Sequence, residues 1–269
     1  MSPAAANPWV LADLSGSVLW LTLNRPGQRN PLSSQMINAL TEALAAAAAD
    51  AAVRCVVITG SGPAFSAGHD LREMTPQAGE SDADCRARMQ TILQACSRLM
   101  LGITESPKAV IACVQGVATA AGCQLVAACD LAIASEEARF CLPGVNIGAF
   151  CTTPLVAVGR NIHRKHAMEL ALTGDLFDAG DAVRMGLLNR VAVAESLRAD
   201  TQALAQKIAS KSAEGIARGK RAYYQQLEKP LAEAYSATCE PMVAAMTTAD
   251  AREGTQAFFD KRQPVWPQV

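Results

Sequence analysis

Ala64-Phe65-Ser66-Ala67-Gly68-His69-Asp70-Leu71-Arg72-Glu73-Met74 follows Cys55-Val56-Val57-Ile58-Thr59-Gly60, an apolar, β-branched run of the kind a buried parallel strand uses, and precedes a polar, helix-compatible segment. A loop leaving such a strand delivers backbone N–H groups to a sheet edge, where small-molecule sites form. Gly60, Gly62, Ala67 and Gly68 keep the main chain bare, so a ligand can approach it closely. Alone, the stretch also reads as a tight turn between strand and helix.

The same pattern occurs again. Ala109-Val110-Ile111-Ala112-Cys113-Val114 is a second buried strand, and Gln115-Gly116-Val117-Ala118-Thr119-Ala120-Ala121-Gly122-Cys123-Gln124-Leu125 places small residues where a helix begins. The free N–H groups and positive dipole end of that helix would face whatever the first loop faces. Close helix packing is the other reading of so many small residues. The helix runs to about Asp130, and Leu131-Ala132-Ile133-Ala134 is a third strand. Strand, Gly/Ala turn and helix repeated in this way predict an α/β fold.

Outward from this core, residues 10–23 carry two strands about Leu14-Ser15-Gly16-Ser17, ending in a breaker-rich loop, Asn24-Arg25-Pro26-Gly27-Gln28-Arg29-Asn30-Pro31. Ser33 or Ser34 caps a helix to about Ala49, and a long helix spans about 83–104 after a polar segment, 77–83, expected to be mobile. Beyond Thr173-Gly174-Asp175 the chain reads as mainly helical.

Half of the 269 residues are apolar and 18 % are charged, enough for one large core with a smaller helical appendage. The formal net charge of -1 offers no footprint for nucleic acid or an anionic membrane, so any anion site must be built locally. Met1 to Asn7 lacks the features of a signal or transit peptide, and a cytoplasmic location is expected. The nine cysteines show no metal-ligand spacing and read as buried free thiols in a reducing compartment; no metal is expected. Residues 140–159 are uncharged and long enough to span a bilayer, but their prolines, glycines, Asn146, Thr152 and Thr153 suit a protein-buried loop and turn.

Five segments in order resemble the crotonase, or enoyl-CoA hydratase/isomerase, superfamily: Asn24-Arg25-Pro26 with Asn30, the loop 65–74, the segment 116–130, the segment 173–191, and Ala257-Phe258-Phe259-Asp260-Lys261-Arg262-Gln263-Pro264-Val265-Trp266. The resemblance implies a crotonase-type spiral of ββα turns over residues 1–200, holding an acyl-CoA site. It also implies a helical C-terminal region, 201–269, that packs homotrimers or hexamers. The ligand would be an acyl-CoA thioester, with coenzyme A as part of the substrate and no further cofactor. Its thioester oxygen would rest between the backbone N–H groups of His69 and Ala121, an oxyanion hole that stabilises charge developing on that oxygen. Ala121 replaces a glycine common in the family, and a backbone donor survives there with negative φ. Arg25, Arg29, Ala67 and the loop His69-Asp70-Leu71-Arg72 would lie along the coenzyme, with Lys261 a further contact from the last helix. A solvated surface charge is the other reading of each cation.

The departures bear on mechanism. Hydration of an enoyl thioester uses two glutamates in this family, as base and acid, and their positions here carry Gln124 and Gly144. No Asp or Glu occurs between Arg139 and Glu169 or between Cys113 and Asp130. His69, Gln124, Asn146, Cys151 and Thr152 remain, and His69 is the one with a near-neutral reference pKa. The Ser-Ala-Gly-His-Asp form also resembles the methylmalonyl-CoA decarboxylase branch, whose tyrosine aligns near Cys151. The expectation is an enoyl-CoA hydratase-like lyase of fatty-acid or acyl-CoA metabolism without its carboxylate pair. The alternatives are a decarboxylase or thioesterase that needs no such pair, and a non-catalytic acyl-CoA binder.

Overall fold

A hairpin begins the fold: β1 (Val10–Ser15) and β2 (Val18–Leu23) pair antiparallel around Gly16, whose φ of 63° suits a residue without a side chain. The computed structural model describes residues 9–266, so the leader-free reading of Met1 to Asn7 lies outside the described residues. From β2 the sheet continues in parallel through β3 (Cys55–Gly60), β5 (Ala109–Val114), β7 (Leu131–Ser135) and β10 (Arg190–Ala192), in the order β1-β2-β3-β5-β7-β10.

Each of the three central strands is followed by a short one that leaves for a second sheet: β4 (Ala64–Ser66), β6 (Val117–Thr119) and β8 (Arg139–Cys141), closed by β9 (Phe177–Asp178). Helices complete the turns: α1 (Ser34–Ala49), α2 (Asp82–Glu105) and α3 (Ala121–Ala128). The result is the α/β spiral of ββα turns that the resemblance implies. The first three residues of the stretch read as a loop, Ala64 to Ser66, are therefore strand. Strands of two or three residues are too short to show a period of two, so the second sheet left no pattern to read.

Alternation along the strands gives each sheet face its own layer. Leu21, Val56, Ile58, Val110 and Ala112 join the main core with Met36, Ile37 and Leu40 of α1 and Leu99 and Ile103 of α2. Val18, Trp20, Val57, Ile111 and Ile133 face the other way and are covered by Leu197, Ala205 and Ala209 of α7 (Leu197–Ala209), while Trp20 Nε1 donates to Gln202 Oε1 at 2.6 Å. The boundary between residues 200 and 201, where the C-terminal region is expected to start, lies inside this helix.

Along the chain, α4 (Thr152–Asn161) and α5 (Arg164–Thr173) fall between β8 and β9, and α6 (Ala179–Met185) falls between β9 and β10. The stretch 140–159 is not a buried loop. It holds part of β8, a 3-10 turn (Pro143–Ile147) and most of α4, and residues 146–150 are exposed, Ile147 by 64 %. Its apolar composition reports neither helix nor exposure. Among the described residues no helix is long and apolar enough to cross a membrane.

The chain closes with α8 (Ala213–Gln226), α9 (Leu231–Met246) and α10 (Ala249–Phe259). Lys220 anchors α8: its ammonium donates to Asp130 Oδ2 at 2.7 Å and to the carbonyls of Ile103 and Lys108 at 2.8 and 3.0 Å, while Tyr224 donates to Asp130 Oδ1 at 2.9 Å. All nine cysteines are free thiols, eight of them buried and Cys239 exposed.

Candidate active site

The loop after β4 is set by its pairing with the entry to α1. Leu32 N–H donates to Gly68 O at 2.7 Å, in an isolated parallel bridge between Leu32 and His69. In parallel pairing the groups flanking His69 turn toward Leu32, so the N–H of His69 itself points to the opposite side. The turn entering α3 packs against the neighbouring Gly68. Gly68 has φ 85°, and a Cβ there would lie 2.9 Å from both Ala120 Cβ and Thr119 O, and 3.2 Å from Ala121 N. The bare backbone at Gly68 is therefore what lets the two segments touch.

Ala121 opens α3, where the first N–H groups have no partner within the helix. The left-handed residue of this turn is Ala120, with φ 49° and ψ −118°, held by its N–H to Cys141 O at 3.0 Å. Gly122 presses α3 onto β4, since a Cβ there would fall 2.3 Å from Ser66 O. Among the described residues, no acceptor pairs with the backbone N–H of His69 or of Ala121.

Two side chains add unsatisfied polar atoms. Gln124 lies one turn beyond Ala121, on the same side of α3, and side chains on a helix lean toward its N-terminus. Gln124 is 4 % exposed, and its Oε1 has no partner. The Nδ1 of His69 lies 3.2 Å from Leu32 O, and its Nε2 is shielded from solvent with no partner. Burial lowers the His69 pKa below the ordinary imidazole value, opposed by the Leu32 carbonyl and the charge of Glu73.

Gly144 is buried in the turn Pro143–Ile147, and a Cβ there would lie 3.0 Å from Cys151 N and 3.1 Å from Cys151 Sγ. The thiol stands where a side chain at residue 144 would begin. Burial raises the Cys151 pKa, partly offset by the Gly144 backbone, so the thiol is protonated near neutrality and a poor nucleophile. Asn146 is exposed and its Nδ2 donates to Gly174 O at 3.5 Å, while Thr152 is exposed at the start of α4.

The cations expected along the coenzyme are less uniform than their sequence suggests. Arg25 stacks 3.7 Å from the Trp9 ring centroid and donates to Asn24 O at 2.8 Å. Arg29 is exposed in a left-handed conformation, with its carbonyl accepting from Ala67 N at 2.9 Å. Arg72 donates through Nε and Nη2 to the two oxygens of Asp70, at 3.0 and 2.9 Å, which holds the Asp70 carboxyl below its usual range. Leu71 is 55 % exposed between them, and Lys261 stands past α10, which packs on α8 and α9.

Sequence reasoning missed the groups that hold this loop. The Glu73 carboxylate accepts from Ser34 N at 2.8 Å and Ser34 Oγ at 2.7 Å, at the start of α1. Arg88 of α2 donates to the carbonyls of Glu73 and Thr75 and to both oxygens of Glu80, whose pKa its hydrogen bonds lower to about 2. The polar segment expected to be mobile is thus tied to α2 at its beginning. Beside it, a cleft of 730 Å³ lies between α2 and α4, lined by Asp82, Arg86, Met89, Leu93, Gln94 and Thr153 among others. Among the described residues no group of three His, Cys, Asp or Glu side chains is placed to hold a metal ion.

Over residues 13–269 the sequence matches the enoyl-CoA hydratase/isomerase family, and the chain belongs to that family. Within it, the chain is 42 % identical over 246 residues to the mouse mitochondrial enoyl-CoA hydratase domain-containing protein 3, covering 91 % of this chain and 80 % of that one. It is 35 % identical to a putative enoyl-CoA hydratase of Thermus thermophilus, over 93 % of this chain and 97 % of that one. Among solved structures, a Mycobacterium smegmatis enoyl-CoA hydratase superposes with a TM-score of 0.91 at 43 % identity, covering 96 % of this chain and 99 % of that one. Human enoyl Coenzyme A hydratase domain-containing protein 3 gives 0.90 at 40 % identity, covering 96 % and 100 %.

Proposed function

We propose that this chain binds an acyl-CoA thioester and stabilises its enolate through the backbone N–H groups of His69 and Ala121, without the carboxylate pair that hydration uses. The observation that carries the reading is the close approach of Gly68, the neighbour of His69, to Ala120 and Ala121, with no acceptor on the N–H of His69 or of Ala121 among the described residues. Preset dipoles of this kind stabilise a developing oxyanion without reorganising, and one donor is worth roughly 100- to 1000-fold in rate. Family membership and the named relatives support enoyl-CoA hydratase-like chemistry in acyl-CoA metabolism. Gln124 and Gly144 stand in place of the two glutamates, and an amide cannot serve as a base.

A second reading, an enolate formed by loss of carbon dioxide, is favoured by one specific feature. The carboxylates on this loop are already engaged, Asp70 by Arg72 and Glu73 by Ser34. Decarboxylation needs the oxygen site and no carboxylate base. Under either reading coenzyme A arrives with the substrate, the protein works as a homotrimer or hexamer, and its free thiols suit a reducing compartment, the cytoplasm in this proposal.

The test is hydration of crotonyl-CoA by the wild-type protein and by Gln124→Glu combined with Gly144→Glu. A Cβ at residue 144 would lie 3.0 Å from the Cys151 backbone nitrogen and 3.1 Å from its sulfur, so Cys151→Ala is added to clear the sulfur, and the backbone at 150–151 has to yield a few tenths of an ångström. We expect negligible hydration by the wild type and a gain of roughly 100-fold or more in the variant, the scale of general acid–base catalysis. Wild-type turnover of about 10 per second, ordinary for an enzyme, would mean that another group supplies the base and acid for water addition.

A further inference from the structure

An acyl-CoA enolate can also be reached by taking a proton from the α-carbon, and that route needs a base. We infer that His69 is that base, its Nε2 accepting the α-proton while the N–H of the same residue helps hold the thioester oxygen; this rests on the acyl-CoA reading above. The tautomer follows from the contact partner. Leu32 O only accepts, so Nδ1, 3.2 Å away, carries the ring proton and donates it. A neutral ring protonated at Nδ1 leaves the lone pair on Nε2. That atom is shielded from solvent and unpartnered, an arrangement that is unfavourable unless a ligand completes it.

The surroundings favour the same assignment. Gln124, the other residue of this site with an unpartnered buried polar atom, cannot take a proton. Cys151 is a protonated thiol against Gly144. Of the charged groups near the ring, Glu73 is committed to Ser34 and Asp70 to Arg72. Glu73 is the one whose charge acts on His69, and burial outweighs it, so the ring stays neutral to lower pH than a free imidazole. In the step, the Cα–H bond breaks, its proton passes to Nε2, and its electron pair moves into the thioester to place negative charge on the oxygen. Reversal returns a proton, or in heavy water a deuteron, to the α-carbon. No other reactant is consumed.

The experiment is α-deuteration of acetyl-CoA and butyryl-CoA in heavy water, followed by mass spectrometry, with affinity measured in parallel by calorimetry. Wild-type protein is expected to exchange the α-protons, and His69→Gln to lose roughly 100-fold or more of that rate with affinity changed less than about threefold. The wild-type rate should fall with acidity through one midpoint below the imidazole reference of about 6.5, because the base works only when unprotonated and its pKa is lowered. Full exchange in His69→Gln, tight binding with no wild-type exchange, or a rate flat across that pH range would each overturn the assignment. If His69→Gln does not bind, the wild-type pH profile decides. Failure of the wild type to bind either thioester would overturn the acyl-CoA reading itself, and the assignment with it.

Discussion

Ala120 carries the least comfortable backbone in the candidate site. Its φ of 49° and ψ of −118° fall where L-residues are rare, and such residues cost on the order of 1–3 kcal/mol. The conformation persists because its N–H is bound to Cys141 O and because α3 must begin at the next residue. Ala120→Gly should relieve the strain and, after the extra entropy glycine loses on folding, raise stability by about 1 kcal/mol. A urea midpoint at or below that of the wild type would show that the turn is unstrained. At this scale the sequence was informative about backbone and nearly silent about contacts. That a helix begins within the segment 115–125 was legible from small residues following a strand, while Ala121 itself was singled out by the family resemblance. The strain one residue earlier was not, because an alanine announces no φ. Nor could local sequence reveal that Arg72 is spent on Asp70, that Arg25 lies on Trp9, or that the Cys151 thiol stands beside Gly144.

Among the elements, the anchoring of α8 is the contact whose loss should be felt most. Lys220 is 8 % exposed and Asp130 17 %, and the ammonium has three oxygen partners from the end of α2, the start of β5 and the end of α3. Lys220→Met would leave the Asp130 carboxylate with only its neutral donors, Val110 N–H and the Tyr224 hydroxyl. Breaking a buried pair from one side costs about 3 kcal/mol or more, so the variant should unfold at markedly lower urea and lose protease resistance first in the segment after α7. Unchanged stability would mean that the ion pair is balanced by its desolvation. The helices and long strands were readable because their periods are long enough to register: Ser33 caps α1 as expected, and β3, β5 and β7 fall on the three apolar runs. The second sheet was not, since β4, β6, β8 and β9 each span two or three residues and are specified by neighbours far along the chain.

For the molecule as a whole, the C-terminal helices leave apolar surface that a lone protomer does not cover. Leu231, Tyr235, Met242, Val243 and Met246 of α9 are 55–75 % exposed, and Phe258 and Phe259 of α10 are 77 and 71 % exposed. Patches of this kind mark association surfaces, which accords with the homotrimer or hexamer proposed above. Native mass spectrometry should give a multiple of three chains, and Tyr235→Glu with Met242→Glu should shift the population toward monomer; a wild-type monomer at micromolar concentration would refute the assembly. The central claim, that two backbone donors hold a thioester oxygen, is tested most directly by the infrared difference spectrum of butyryl-CoA labelled with 13C at the thioester carbonyl. Bound to the protein, that carbonyl should absorb at lower frequency than in water, because two fixed N–H dipoles polarise it more strongly than solvent does. A bound carbonyl that absorbs where the free one does would contradict the account.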